Sequence, residues 1–132
     1  GDFTATLPFD GAFDLVVDRS SLTHNTAVAI QNTLQALQRL MRPGARLIGI
    51  DWFSDRHSDR QFGRRQSDAW TYGEFSAGQF AGYGQVHLSD EAHLRELLAD
   101  FHLLALEHKE VSDCLNQAGS VRASWNFAVE KP

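Results

Sequence analysis

The chain has 132 residues, 42% of them hydrophobic and 22% charged, a balance that suits one globular domain and excludes disordered, collagen-like and disulfide-scaffold classes. A formal charge of -5 leaves no general surface for nucleic acid: its densest basic cluster, residues 56–65, is flanked by Asp55 and broken by Asp59. Cys114 is the only cysteine, so no internal disulfide forms; no apolar run reaches the ~20 residues of a membrane span, and residues 1–10 lack a signal peptide's basic start and apolar body. A cytoplasmic protein without membrane or nucleic-acid partners is expected.

The opening GDFTATLPFDGAFD has no initiator Met and reads like the interior of a domain, so a longer parent chain is expected. Phe13, Leu15, Val16 and Val17 then form a short strand whose near-continuous hydrophobicity suits burial on both faces. Asp18, Arg19, Ser20, Ser21 and His24 cluster just past its carboxyl end, where open α/β sheets place their ligands. From Thr26 the period changes: Ile30, Leu34, Leu37 and Met41 share one helical stripe, with Asn25 or Thr26 as the cap. Arg39 and Arg42 favour the negative end of that helix, and Pro43-Gly44 is expected to stop it before a second strand at 46–52. Strand, helix and strand make one crossover unit with parallel strands.

Residues 55–85 show no sustained period and scatter glycines among Phe62, Trp70, Tyr72, Phe75, Phe80 and Tyr83. Such a stretch is uncommon inside a compact domain, so a partly helical, lid-like insertion is expected at about residues 54–88 of a single domain spanning 1–132. Ser89 is expected to cap the next helix, with Asp90 and Glu91 at its positive end and Leu94, Leu97, Leu98 and Phe101 facing inward. Two strands follow, at 103–111 and 123–130, the second alternating Trp125, Phe127 and Val129 with smaller or polar neighbours. No helix separates them, so they are antiparallel.

Four stretches in this order carry a family resemblance: GDFTATLPF, FDLVVDRSSLTH, LQRLMRPGARLIGI, and the closing helix with its strand pair. Together they resemble the C-terminal half of a class I S-adenosylmethionine-dependent methyltransferase. The resemblance implies an α/β fold: half of a Rossmann-like sheet, parallel strands followed by an antiparallel pair, with helices on the faces. It also implies S-adenosylmethionine as cofactor, with Asp2 and Phe3 against the adenine and Asp18, Arg19 and Ser20 bordering the cofactor, and a small-molecule methyl acceptor. The family's glycine-rich loop and its ribose-binding acid fall before the equivalent of Gly1, and no GxGxxG occurs. This chain alone is therefore expected to bind the cofactor weakly or not at all and to be inactive by itself. The alternative is an inactive binding or self-association module derived from a methyltransferase.

His24 is the candidate general base, since a histidine near its reference pKa takes a proton near neutrality; otherwise it is only a polar residue before a helix. Trp52, Trp70, Tyr72 and Tyr83 either enclose an acceptor or form the insertion's own core. Asp51, at the second strand's end, is a further candidate carboxylate. The six histidines include no HxxxH pair and no HExxH helix, so no metal is assigned, and DRSSL lacks the GxSxG frame of an α/β hydrolase. The 13–18 strand has no encoded neighbour on one side, so a homodimer through that edge, or a missing N-terminal half, is the expected partner.

Overall fold

The structure, a computed structural model, describes residues 12–116 and 118–132. Its main sheet has four strands in the order β1-β2-β7-β6: β1 Phe13–Arg19, β2 Met41–Phe53, β6 His102–Ser112 and β7 Val121–Glu130. β1 and β2 are parallel and joined by helix α1, Ala27–Leu40; β2, β7 and β6 pair antiparallel. Helix α2, Glu91–Leu97, precedes β6. This is the expected mixed α/β architecture.

α1 starts where Thr26 accepts a hydrogen bond from the Ala29 N–H, which satisfies one of the otherwise unpaired first-turn donors. It ends at Leu40, before Pro43-Gly44, so that pair is not the stop the sequence suggests. Instead Phe13 pairs with Met41 and Leu15 with Arg46, and residues 42–45 bulge out of the ladder where proline's missing N–H does no harm. The α2 cap also differs by one position: Asp90, not Ser89, accepts from the His93 N–H at 2.7 Å. Ser89 is drawn into the sheet region, donating its N–H to Phe53 and accepting from the indole N–H of Trp125.

Both helices lie on one face of the sheet, over a core that joins Ile30 and Leu34 of α1 and Leu94 and Leu97 of α2 to Leu47, Trp52, Trp125, Phe127 and Val129. Full burial of each such aliphatic side chain contributes roughly 1.5–3 kcal/mol. Gly49 is required here, because a Cβ would overlap the Phe127 ring that crosses it. The opposite face carries Leu15 and Val17, 58% and 56% exposed, with half-buried Ile48, Ile50 and Ala128.

The segment between β2 and α2 is helical only over a short 3₁₀ turn. It holds a 3₁₀ turn, Ser58–Phe62, and three short antiparallel strands, β3 Arg64–Arg65, β4 Thr71–Gly73 and β5 Val86–His87. Its own aromatic core gathers Tyr72, Phe75, Phe80, Val86 and Leu88, with Phe53 and Phe62 packed against it. Ring contacts replace the missing helical stripe: Phe80 meets Phe53, Phe75 and His57 at centroid distances of 4.9, 5.2 and 4.7 Å.

Candidate functional site

Polar groups converge at the carboxyl ends of the two parallel strands. β1 ends beside Ile50, and the chain turns at Ser20, whose N–H donates to the Ile50 carbonyl and whose hydroxyl donates to the Asp51 carbonyl at 2.7 Å. Ser20 and Asp51 both adopt left-handed backbones, with φ of 58° and 55°, a region that non-glycine residues occupy uncommonly. Asp51 belongs to a β-bulge: Ile50 and Asp51 lie between the Gly49–Phe127 and Trp52–Trp125 pairs, and the Asn126 amide oxygen accepts the Asp51 N–H at 3.0 Å.

Asp18 turns back over this edge, and both its carboxylate oxygens accept from the Leu22 N–H at 3.3 Å. Burial pushes its pKa up; the Leu22 and Ser21 N–H groups, the nearby Trp52 indole and the His24 charge oppose that without cancelling it. The buried Trp52 N–H is close enough to favour the anion, yet meets no acceptor in hydrogen-bond geometry. Asp51 behaves oppositely. Lys109 at 2.5 Å and, more weakly, Arg19 at 3.4 Å hold its carboxyl below the usual range.

His24 closes a 3₁₀ turn, Leu22–His24, and is exposed. Its Nδ1 lies 3.3 Å from the Gln85 carbonyl, an oxygen that only accepts, so the hydrogen sits on Nδ1 and neutral Nε2 keeps its lone pair. Phe53 and Tyr83 flank the ring at 5.9 and 5.8 Å. Tyr83 is 52% exposed and lies between Gly82 and Gly84, both at positive φ.

The structure brings Asp18, Arg19, Ser20, His24 and Asp51 to one strand edge, with Trp52 beneath as its buried floor. Trp52 is 1% exposed and belongs to the main core; Tyr72 is 8% exposed and belongs to the insertion's core, so neither presents an open aromatic wall. Trp70 is half-buried and stacks on His93 with ring centroids 3.6 Å apart. Of the four aromatic candidates Tyr83 is the exposed one, and its ring lies beside His24. Asp2 and Phe3 lie outside the described residues. Lys109 and Asn126 escaped sequence reasoning because they arrive from the distant strands β6 and β7, and Gln85 because it comes from the insertion; Phe53 closes β2 beside Trp52 and was passed over, and the bulge at Asp51 has no local signature. Among the described residues no cluster of three His, Cys, Asp or Glu side chains is arranged to hold a metal ion, and no helix is long and apolar enough to cross a membrane.

No protein-family model matches the chain, and no curated protein matches it. Solved structures do. A S-adenosylmethionine-dependent methyltransferase from Methanosarcina mazei, 18% identical, aligns with a TM-score of 0.73 over 97% of this chain and 64% of its own. One from Clostridium acetobutylicum, 12% identical, gives 0.60 over 97% and 62%. The 1,6-didemethyltoxoflavin-N1-methyltransferase of Burkholderia thailandensis, 21% identical, gives 0.59 over 97% and 48%. The chain thus spans less than two thirds of each of these proteins. Its fold is that of the class I S-adenosylmethionine-dependent methyltransferases.

Proposed function

We propose that this chain is the C-terminal, substrate-side part of a S-adenosylmethionine-dependent methyltransferase that acts on a small-molecule acceptor. The observation that supports this reading best is the strained strand edge, where Ser20 and Asp51 hold left-handed backbones beside Asp18 and His24. Strain of about 1–3 kcal/mol per residue is retained where geometry matters more than stability. The side chains suit a sulfonium nucleoside on one side: Asp18 supplies a carboxylate not engaged by Lys or Arg, and Phe53 and Tyr83 supply aromatic faces that favour a cation.

Bound at this edge, S-adenosylmethionine would supply an electrophilic methyl group. The residues do the rest. Asp18, fixed by the Leu22 N–H, and Ser20 border the cofactor together with the exposed Arg19. His24, oriented through Nδ1 by Gln85, presents Nε2 to take the proton from an acceptor hydroxyl or amine. Phe53 and Tyr83 hold the acceptor and limit water, and the 54–88 segment acts as the lid.

Transfer of labelled methyl to a panel of small hydroxyl and amine compounds tests this, with the protein extended by whatever coding sequence precedes Gly1. His24→Gln should lower kcat by ~100-fold or more. Asp18→Asn keeps an acceptor for Leu22 and removes a poorly solvated charge, so it should lower activity while leaving stability equal or higher. Full activity in both variants would overturn the assignment. The 132-residue chain alone should show no micromolar S-adenosylmethionine site by calorimetry.

One observation favours self-association as the second reading. β1 is an edge strand among the described residues, and Leu15 and Val17 extend an apolar surface beside it. A homodimer through 13–18, or an N-terminal half of the same protein, would cover both. Val16 is partly buried against the main core, so Val17→Lys is the informative substitution. It should weaken a dimer in sedimentation more than Ser76→Lys.

A further inference from the structure

A buried hydrogen-bond relay fastens the insertion to both helices, and the strand-edge chemistry does not use it. Asp68 accepts from the Ala27 N–H at the start of α1, from the Trp70 and Thr71 N–H groups, and from the Thr71 hydroxyl, at 2.8–2.9 Å. The Thr71 hydroxyl has spent its only hydrogen on that carboxylate, so it accepts from His87 Nδ1 at 3.0 Å. Neutral His87 then has its lone pair on Nε2, and His93 Nε2 of α2 must donate to it at 2.8 Å. Neutral His93 is left with an unprotonated Nδ1, which matches that atom being buried without a partner. Every hydrogen in the relay is thereby assigned.

This arrangement has no room for another proton. At His87 Nε2 it would set two N–H groups face to face across 2.8 Å; at His93 Nδ1 it would create a buried cation whose new donor meets no acceptor. His87 is fully buried and His93 is 5% exposed, with Trp70 stacked on its ring, so solvent does not relieve either charge. The acids whose charge reaches the pair are Asp68 from the insertion and Asp90 and Glu96 from α2. Gln85, whose carbonyl orients His24, immediately precedes β5.

We propose that His87 and His93 form an acid-sensitive clasp: uptake of a proton by His87 at Nε2 parts β5 from α2, releases the insertion, and removes Gln85 from His24. Burial first, and then the neighbouring His93, pushes the His87 pKa down to about 4, and burial lowers that of His93 despite Asp90, Glu96 and Asp68. The docked form therefore holds both rings neutral, and stability of docking falls as pH drops below the free-histidine value toward about 4. Over that interval the His87 shift favours release by on the order of 100-fold. Parting of the clasp stands apart from the methyl-transfer reading; only its consequence at His24 rests on it.

Amide hydrogen exchange on the intact protein, without cofactor, tests the clasp between about pH 6.5 and pH 4. Relative to their intrinsic rates, which themselves fall with pH, amides of 64–73 and 86–88 should gain exchange on the order of 100-fold, reversibly, while those of β2 and β7 stay protected. His87→Gln and His93→Gln each remove one proton acceptor and should shrink that gain, whereas exposed His102→Gln should leave it unchanged. In the unsubstituted protein the ring nitrogens of both histidines should titrate in NMR together with the exchange. Protection that persists to pH 4, loss of β2 and β7 in the same step, or an unchanged gain in both variants would overturn the proposal.

Discussion

The sheet and the insertion each bury a core, but by different means. The sheet core is largely aliphatic and tryptophan side chains delivered by regular elements, each at the period its element imposes. The insertion has almost no regular structure, and its short strands are held by a few aromatic rings and a polar relay anchored on Asp68. The difference shows that apolar area makes one region stable, while satisfied hydrogen bonds give the other a definite position that chemistry can undo. It also places adjustable contacts, Gln85 and Tyr83, on the less robust region.

The largest effects should come from the cores. Phe80→Ala removes a fully buried ring and should cost about 3–5 kcal/mol of local stability, freeing the insertion while the sheet persists. Leu47→Ala, also fully buried, should cost about 2–5 kcal/mol of global stability. Segment-resolved hydrogen exchange separates the two outcomes. If Phe80→Ala unfolds β2 and β7 together with the insertion, the regions form one cooperative unit and the contrast between them fails.

A smaller effect is expected at Asp68. Burial raises its pKa, but hydrogen bonds from Ala27, Trp70 and Thr71 outweigh that, and the net shift is downward. A lowered carboxylate contributes stability above its unfolded value of 3.8 that is lost as pH falls through the folded pKa. The anchor therefore stays ionised across the interval in which the clasp histidines take protons. Asp68→Asn sets a donor against donors at the Ala27 N–H or the Thr71 hydroxyl, and should cost about 1–3 kcal/mol in chemical denaturation. Its release of the insertion should appear already at neutral pH.

The same contrast explains what the sequence could tell. The stripe Ile30, Leu34, Leu37 and the alternation Trp125, Phe127, Val129 are local consequences of helical and strand periods, so the α/β order and the antiparallel closing pair were legible. The insertion follows no period, and its folding depends on ring contacts such as Phe53 with Phe80, between residues 27 positions apart. Asp18, Ser20 and His24 could be named from the sequence because they lie at or just past the carboxyl end of β1. Lys109 and Asn126 reach Asp51 from 58 and 75 residues away, and only the bulge at Ile50-Asp51 aims that residue at them. Asp68 did carry a local signal: an aspartate accepting from backbone groups two and three residues ahead is an Asx turn.

The smallest effect should be at Asp51, and it separates geometry from charge at the strand edge. Lys109 lowers the Asp51 pKa, so the pair contributes above pH 3.8 and is lost as pH falls through the folded pKa. Both partners are partly exposed, at 43% and 29% of their side-chain surface, so solvent screens them and the contribution stays below about 1 kcal/mol. Lys109→Met should therefore raise the Asp51 midpoint in carboxyl NMR while barely moving the melting temperature. Asn126→Ala removes the acceptor for the Asp51 N–H and leaves Lys109 in place, so it acts on the left-handed backbone itself. If that backbone is what the edge needs, Asn126→Ala should cost more stability, about 1–2 kcal/mol, with little change in the Asp51 midpoint. A larger melting shift from Lys109→Met than from Asn126→Ala would mean that the ion pair, not the bulge, holds Asp51 in place.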